Sequence, residues 1–174
     1  EELAAIRKKY GATGDILEAK ARIDAIARDL VRHYLDNILP NGFKAQVVCH
    51  SKLACVRYQE GIDAAIAERL AAEQAKAQPD AELLRRLSFL KTAVVVSSDG
   101  TNEAAYITHA RKQAARLNAV ENFCKGFDLD DPDKANTGIA FLIVCDMLLT
   151  GFDAPIEQVM YIDKRLREHT LLQA

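Results

Sequence analysis

The sequence predicts an α/β fold in three layers, a mainly parallel sheet with helices packed on both faces. Three observations predict it. Short, almost unbroken apolar runs rich in β-branched residues recur at Lys44 to Cys49 (KAQVVC), Thr92 to Ser97 (TAVVVS), Ile139 to Cys145 (IAFLIVC) and Val159 to Ile162. Segments with apolar residues three and four apart alternate with these runs. A strand that is apolar on both sides has to be covered on both sides, which the crossover helices of a parallel sheet provide. At 174 residues, 49% hydrophobic and 28% charged, the chain has the length and composition for one buried core.

Taken in order, residues 1–14 are polar and weakly patterned up to the Gly11/Gly14 pair and read as a leader or linker, with the domain running from Asp15 to the end. Ile23, Ile26, Ala27, Leu30, Val31, Tyr34, Leu35 and Ile38 form one face of the clearest helix. Asp15 with Glu18 resembles a capping box at its start, and Pro40-Asn41-Gly42 stops it. The first strand follows, then the turn His50-Ser51 and a second helix through Leu53, Val56, Ile62, Ile66 and Leu70. Gln74 to Pro79 is a polar break, and Asp80 caps a short helix carrying Leu83, Leu84, Leu87 and Leu90. After the second strand, Asp99 to Asn102 reads as a turn, and Ala104 to Phe127 has helical spacing as either one helix or two. Asp128 to Lys134 is an acidic loop before the third and fourth strands.

Composition narrows function by exclusion. With 23 Lys and Arg against 25 Asp and Glu, the net charge of −2 gives no global basic field, so any nucleic-acid contact must come from a local patch. No apolar run approaches the roughly 20 residues that span a bilayer, and the opening Glu1-Glu2-Leu3 has no basic-then-apolar leader, as expected of a piece excised from a longer cytoplasmic chain. Cys49, Cys55, Cys124 and Cys145 make no C-x₂-C pair, so no metal is expected and buried free thiols in a reducing compartment are. Neither a G-x-x-x-x-G-K-[ST] phosphate loop nor a G-x-G-x-x-G turn is present, and Gly11-Ala12-Thr13-Gly14 follows no strand. Cys49 and His50 are strand neighbours on opposite faces and cannot share a proton. The acidic loop lacks the Gly and Glu that a calcium loop needs, having Asp133 and Ile139 there.

In an open parallel sheet, ligands sit beyond the carboxyl ends of the strands. Those ends are His50-Ser51, Ser98-Asp99, Asp146 to Asp153 and Asp163-Lys164. The most informative is Leu148-Leu149-Thr150-Gly151-Phe152-Asp153-Ala154-Pro155, directly after the third strand. With Val48-Cys49-His50-Ser51, Val96-Ser97-Ser98-Asp99, Met160-Tyr161-Ile162-Asp163-Lys164 and Leu171-Leu172-Gln173-Ala174 in this order, the chain from Ala19 to Ala174 resembles the second RecA-like lobe of the restriction (motor) subunit of type I restriction-modification enzymes, a branch of the superfamily-two helicases.

The resemblance implies ATP-dependent translocation of duplex DNA ahead of cleavage, with ATP and Mg²⁺ as cofactors of the whole enzyme. It also implies as partners duplex DNA, a first RecA-like lobe and a nuclease domain on the same polypeptide, and methylation and specificity subunits. The LLTGFDAP string stands where the family has helicase motif V. Gly151 and Asp153 would then face the ATP cleft, Asp153 accepting from the ribose hydroxyls, and Thr150 and Gly151 would approach the DNA backbone. Gln173 would open motif VI at the cleft. His50 and Ser51 fall at motif IV, with Ser51 a contact for a DNA phosphate; Ser98 and Lys164 are further DNA candidates, Lys164 with Arg165 and Arg167.

Other roles stay open on the residues alone: Asp153 as a turn cap before Pro155, Ser51 as a helix cap, and the Lys164 cluster as solvated surface. The chain ends at Ala174, before any motif VI arginine, and has neither a phosphate loop nor a magnesium-binding acid of that family nor a nuclease constellation. It therefore carries no catalytic residue of its own and is expected not to hydrolyse ATP alone. A lobe of a helicase or remodelling ATPase without a nuclease, or a non-catalytic α/β binding module, are the alternatives.

Overall fold

Four strands, β1 (Lys44–Cys49), β2 (Lys91–Val95), β3 (Ile139–Val144) and β4 (Glu157–Asp163), pair in parallel in the order β2-β3-β1-β4. The computed structural model describes residues 14–100, 102–148 and 152–164. Every residue of the two central strands, β1 and β3, is buried, whereas β4 at the edge is half-buried. In register, Val47 stands beside Ile143 on one side and Tyr161 on the other. The fold is thus the expected α/β arrangement with helices flanking an all-parallel sheet.

The helices are α1 (Lys20–Asn37), α2 (Lys52–Gln74), α3 (Ala81–Phe89), α4 (Ala105–Arg116) and α5 (Ala119–Phe123). One sheet face, carrying Ala45, Val47, Cys49, Phe141 and Ile143, packs in a single core with Ile23, Ala27, Leu30 and Tyr34 of α1, Cys55, Tyr58 and Ile62 of α2 and Ile107 of α4. The other face, carrying Val48, Ala93, Leu142 and Val144, is covered by Ala119 and Phe123 of α5 and by Leu148, Phe152 and Ala154 from the segment after β3. The third layer is thin here, and Leu148, Phe152 and Ala154 are part of it.

Local signals explain most boundaries. Asp80 caps α3, its carboxylate accepting from the amides of Glu82 and Leu83 at 3.0 Å each. A 3₁₀ turn at Leu39–Asn41 and Gly42 in the left-handed region, φ 77°, follow α1, as Pro40-Asn41-Gly42 required.

Several expectations need correction. Residues 14–18 are helical, but Ala19 (φ −57°, ψ 120°) breaks the helix, so α1 starts at Lys20 and no side chain caps it. The proposed capping acid, Glu18, instead takes the Ser51 hydroxyl, and its carbonyl takes Arg57. The second strand ends at Val95 rather than Ser97. Ala104 to Phe127 is two helices, divided at Asn118, whose φ is 44°. The acidic loop runs into a 3₁₀ helix, Pro132–Gly138, and Lys134 pairs with Asp128 at 2.8 Å and Asp131 at 3.4 Å, while Asp130 pairs with Arg85 of α3. Cys49, Cys55 and Cys145 are buried free thiols, but Cys124 is exposed at the end of α5. Most of the 1–14 leader lies outside the described residues. Among the described residues, no helix is long and apolar enough to cross a membrane.

Candidate functional site

The parallel order brings all four strand carboxyl ends to one edge of the sheet, and polar side chains tie them together there. At the end of β1, Ser51 is in extended conformation (φ −146°, ψ 168°) as the cap of α2. Its oxygen accepts from the Ala54 amide at 3.1 Å and its hydroxyl donates to Glu18. His50 beside it is exposed, and its carbonyl accepts from the Cys145 thiol at 3.7 Å. Beyond β2, Lys52 from the first turn of α2 donates to the Ser97 carbonyl at 2.7 Å and pairs with Asp99. Ser98 is exposed and accepts from the Gly100 amide at 3.1 Å.

Lys164, just past β4, reaches across the end of β1 to β3. Its ammonium donates to the Cys145 carbonyl at 3.1 Å and to Asp146 at 2.7 Å. That ion pair holds the Asp146 carboxyl below the ordinary carboxylate range. Burial, with the Asp146 carboxylate close by, pushes the Cys145 thiol up to about 12, which leaves it an inert SH. Lys164 is therefore committed to Asp146, and only 15% of its side chain is exposed. A phosphate would have to compete with that carboxylate for it. Asp163, at the end of β4, receives both guanidinium nitrogens of Arg22 at 2.7 Å and the Tyr58 hydroxyl at 2.6 Å. Arg22 first, and Tyr58 with it, hold this carboxyl below its ordinary range.

Leu148, Phe152 and Ala154 of the LLTGFDAP string pack on the thinly covered face. Leu148 has φ 61°, and its carbonyl accepts from the Gln46 amide at 3.4 Å. Phe152 stacks on Phe123 of α5 with centroids 6.3 Å apart and planes at 27°. Asp153, next along, is exposed and makes no side-chain hydrogen bond among the described residues; the turn behind it is closed by backbone, Glu157 amide to Ala154 carbonyl at 2.8 Å. An exposed carboxylate has the acceptors that a pair of ribose hydroxyls needs. Thr150, Gly151, Gln173, Arg165 and Arg167 lie outside the described residues. Among the described residues, no group of three or more His, Cys, Asp or Glu could hold a metal ion.

Sequence reasoning found the strand ends but missed the partners that organise them: Arg22 on Asp163, Lys52 on Asp99, Glu18 on Ser51 and Asp146 on Lys164. The first of these joins positions 141 residues apart, and no local pattern marks it.

Residues 104–174 match the family model T1R_D3-like, type I restriction enzyme subunit R domain 3. The chain is 33% identical over 160 residues, 91% of its length, to the putative type I restriction enzyme MjaVIIP endonuclease subunit of Methanocaldococcus jannaschii. It is 27% identical over 163 residues to the MjaVIIIP endonuclease subunit of the same organism. A stretch of 39 residues is 51% identical to the type I restriction enzyme HindI endonuclease subunit of Haemophilus influenzae, covering 22% of the chain and 4% of that protein. The chain spans about 14% of the length of each of the two Methanocaldococcus relatives.

Proposed function

We propose that this chain, a relative of the endonuclease subunits of type I restriction enzymes over most of its length, serves such a subunit as the second RecA-like lobe of its DNA motor. The observation that carries the reading is the placement of the described ends of the LLTGFDAP string beyond β3: Leu148 in a left-handed turn, Phe152 stacked on Phe123, and Asp153 exposed. In this reading Asp153 accepts from the ribose of ATP, with Gly151 and Gln173 at the same cleft. His50, Ser51, Ser98 and Thr150 are assigned to the backbone of duplex DNA, and Lys164 joins them by exchanging Asp146 for a phosphate.

ATP, held with Mg²⁺ mainly by another lobe of the same polypeptide, supplies the free energy for movement. The residues of this chain orient the nucleoside and transmit closure of the cleft to the strand ends at the DNA. Partners are the first lobe, a nuclease domain that cuts after translocation, and methylation and specificity subunits. The chain alone is inactive, because it has no phosphate loop.

The test is ATP hydrolysis by the parent subunit in its complex, wild type beside Asp153→Ala. An orienting role raises KM for ATP by roughly tenfold or more, or abolishes turnover, with the melting temperature unchanged. An Asp153→Ala variant with wild-type KM and kcat removes the nucleotide role.

A further inference from the structure

On the sheet face away from α1 and α2, β1 carries two polar side chains that are fully buried, Lys44 and Gln46. Lys44 is accounted for: its ammonium donates to the carbonyls of Thr137 at 2.8 Å and Asn122 at 3.0 Å. Gln46 is not. Its Nε2 donates to the Leu148 carbonyl at a long 3.4 Å, and its Oε1 is buried with no partner among the described residues. A half-satisfied amide in the middle of a sheet is destabilising relative to an apolar residue of the same size. The residue it holds is unfavourable too. Leu148 has a left-handed backbone, φ 61°, which a branched side chain adopts only where its surroundings impose it.

These two costs meet in one hydrogen bond, at the first residue of the LLTGFDAP string. Further along the string Phe152 stacks on Phe123, and Asp153 follows directly on it. We infer that Gln46 is a positioning residue: by holding the Leu148 carbonyl it keeps the turn after β3 in its strained form and so sets the aim of Asp153. This rests on the nucleotide role proposed for Asp153. It adds that the central strand β1 carries the coupling between the sheet and the string, through a side chain that touches neither ATP nor DNA.

The experiment compares wild-type parent subunit with Gln46→Leu, Gln46→Met and Lys44→Met. Hydrogen exchange is read on the peptide covering residues 146–155, and KM and kcat for ATP are read in the complex. Both Gln46 variants are expected to speed exchange in 146–155 by about tenfold, leaving the β1 and β3 amides protected. They raise KM for ATP with the melting temperature unchanged or higher, since an unsatisfied amide has been removed. Lys44→Met, on the same face but off the string, leaves KM unchanged. Wild-type exchange in 146–155 in both Gln46 variants overturns the inference, as does a KM change that Lys44→Met reproduces. If the wild-type complex does not hydrolyse ATP, the nucleotide reading of Asp153 fails, and the exchange contrast still decides whether Gln46 holds the turn.

Discussion

Arg22, in the first turn of α1, closes a two-pronged ion pair on Asp163, the last residue of β4, with both nitrogen–oxygen distances at 2.7 Å. The pair locks the helix that covers one sheet face to the carboxyl end of an edge strand, and the Tyr58 hydroxyl of α2 makes it a three-element junction. With only 18% of the Asp163 side chain and 32% of the Arg22 side chain exposed, the pair is shielded from solvent enough to matter.

Asp163→Ala is expected to cost about 2–3 kcal/mol in urea unfolding, because it strands a partly buried guanidinium and a buried phenol. The pH dependence has a definite sign. The folded carboxyl titrates below its ordinary value, so the stability it contributes is complete above that value and is lost as pH falls through the lowered one. Asp163→Asn flattens this acid limb; an unchanged limb in that variant shows that other carboxylates set it.

Lys44 and Glu157 are register partners across β1 and β4, and burial shifts both towards neutrality. Glu157 is pushed up to about 7, so its contribution is complete at acid pH and is lost as pH rises to about 7. Lys44 is pushed down to about 7, so stability is regained as pH rises from there towards the ordinary lysine value. A shallow stability minimum near neutrality is expected in denaturant titrations, with limbs no steeper than about 1.4 kcal/mol per pH unit. Glu157→Gln removes the acid-side limb and Lys44→Met the alkaline one.

Gly138 precedes β3 where the chain runs against the end of α3. A Cβ at this position would overlap the Phe89 carbonyl oxygen, and backbone cannot yield as a flexible side chain does. Gly138→Ala is expected to destabilise by about 2 kcal/mol or more by thermal melting; a loss within experimental error would mean that α3 moves freely.

Ser51→Ala removes the α2 cap and the donor to Glu18, a loss of about 1 kcal/mol in stability. If Ser51 also meets a DNA phosphate, DNA affinity in the parent complex falls further than the folded fraction explains and loses part of its salt dependence. Equal losses leave Ser51 a cap and nothing more.

How much of this was legible in the sequence follows from the range of each interaction. Strands β1 and β3 could be read because burial on both faces strips them of polar residues, and the α3 start because Asp80 meets amides two and three positions on. The break at Ala19 could not, since Glu18 answers to Ser51, 33 positions away. The burial of Lys44 could not be read either, since only the fold puts two carbonyls and the Phe127 ring, 4.8 Å from its ammonium, around it. Asn118 breaks the helical pattern by backbone conformation, which apolar spacing does not record. At the site the strand ends were legible through topology, while Arg22, Lys52 and Gln46 reach them from positions outside every motif.

The most direct test of the motor reading is ATP hydrolysis by the parent subunit in its complex, measured with and without long duplex DNA. A lobe that couples a nucleotide cleft to a DNA track predicts hydrolysis that is strongly DNA-stimulated and absent from the isolated chain. Hydrolysis that proceeds at the same rate without DNA, or none in either condition, would contradict it.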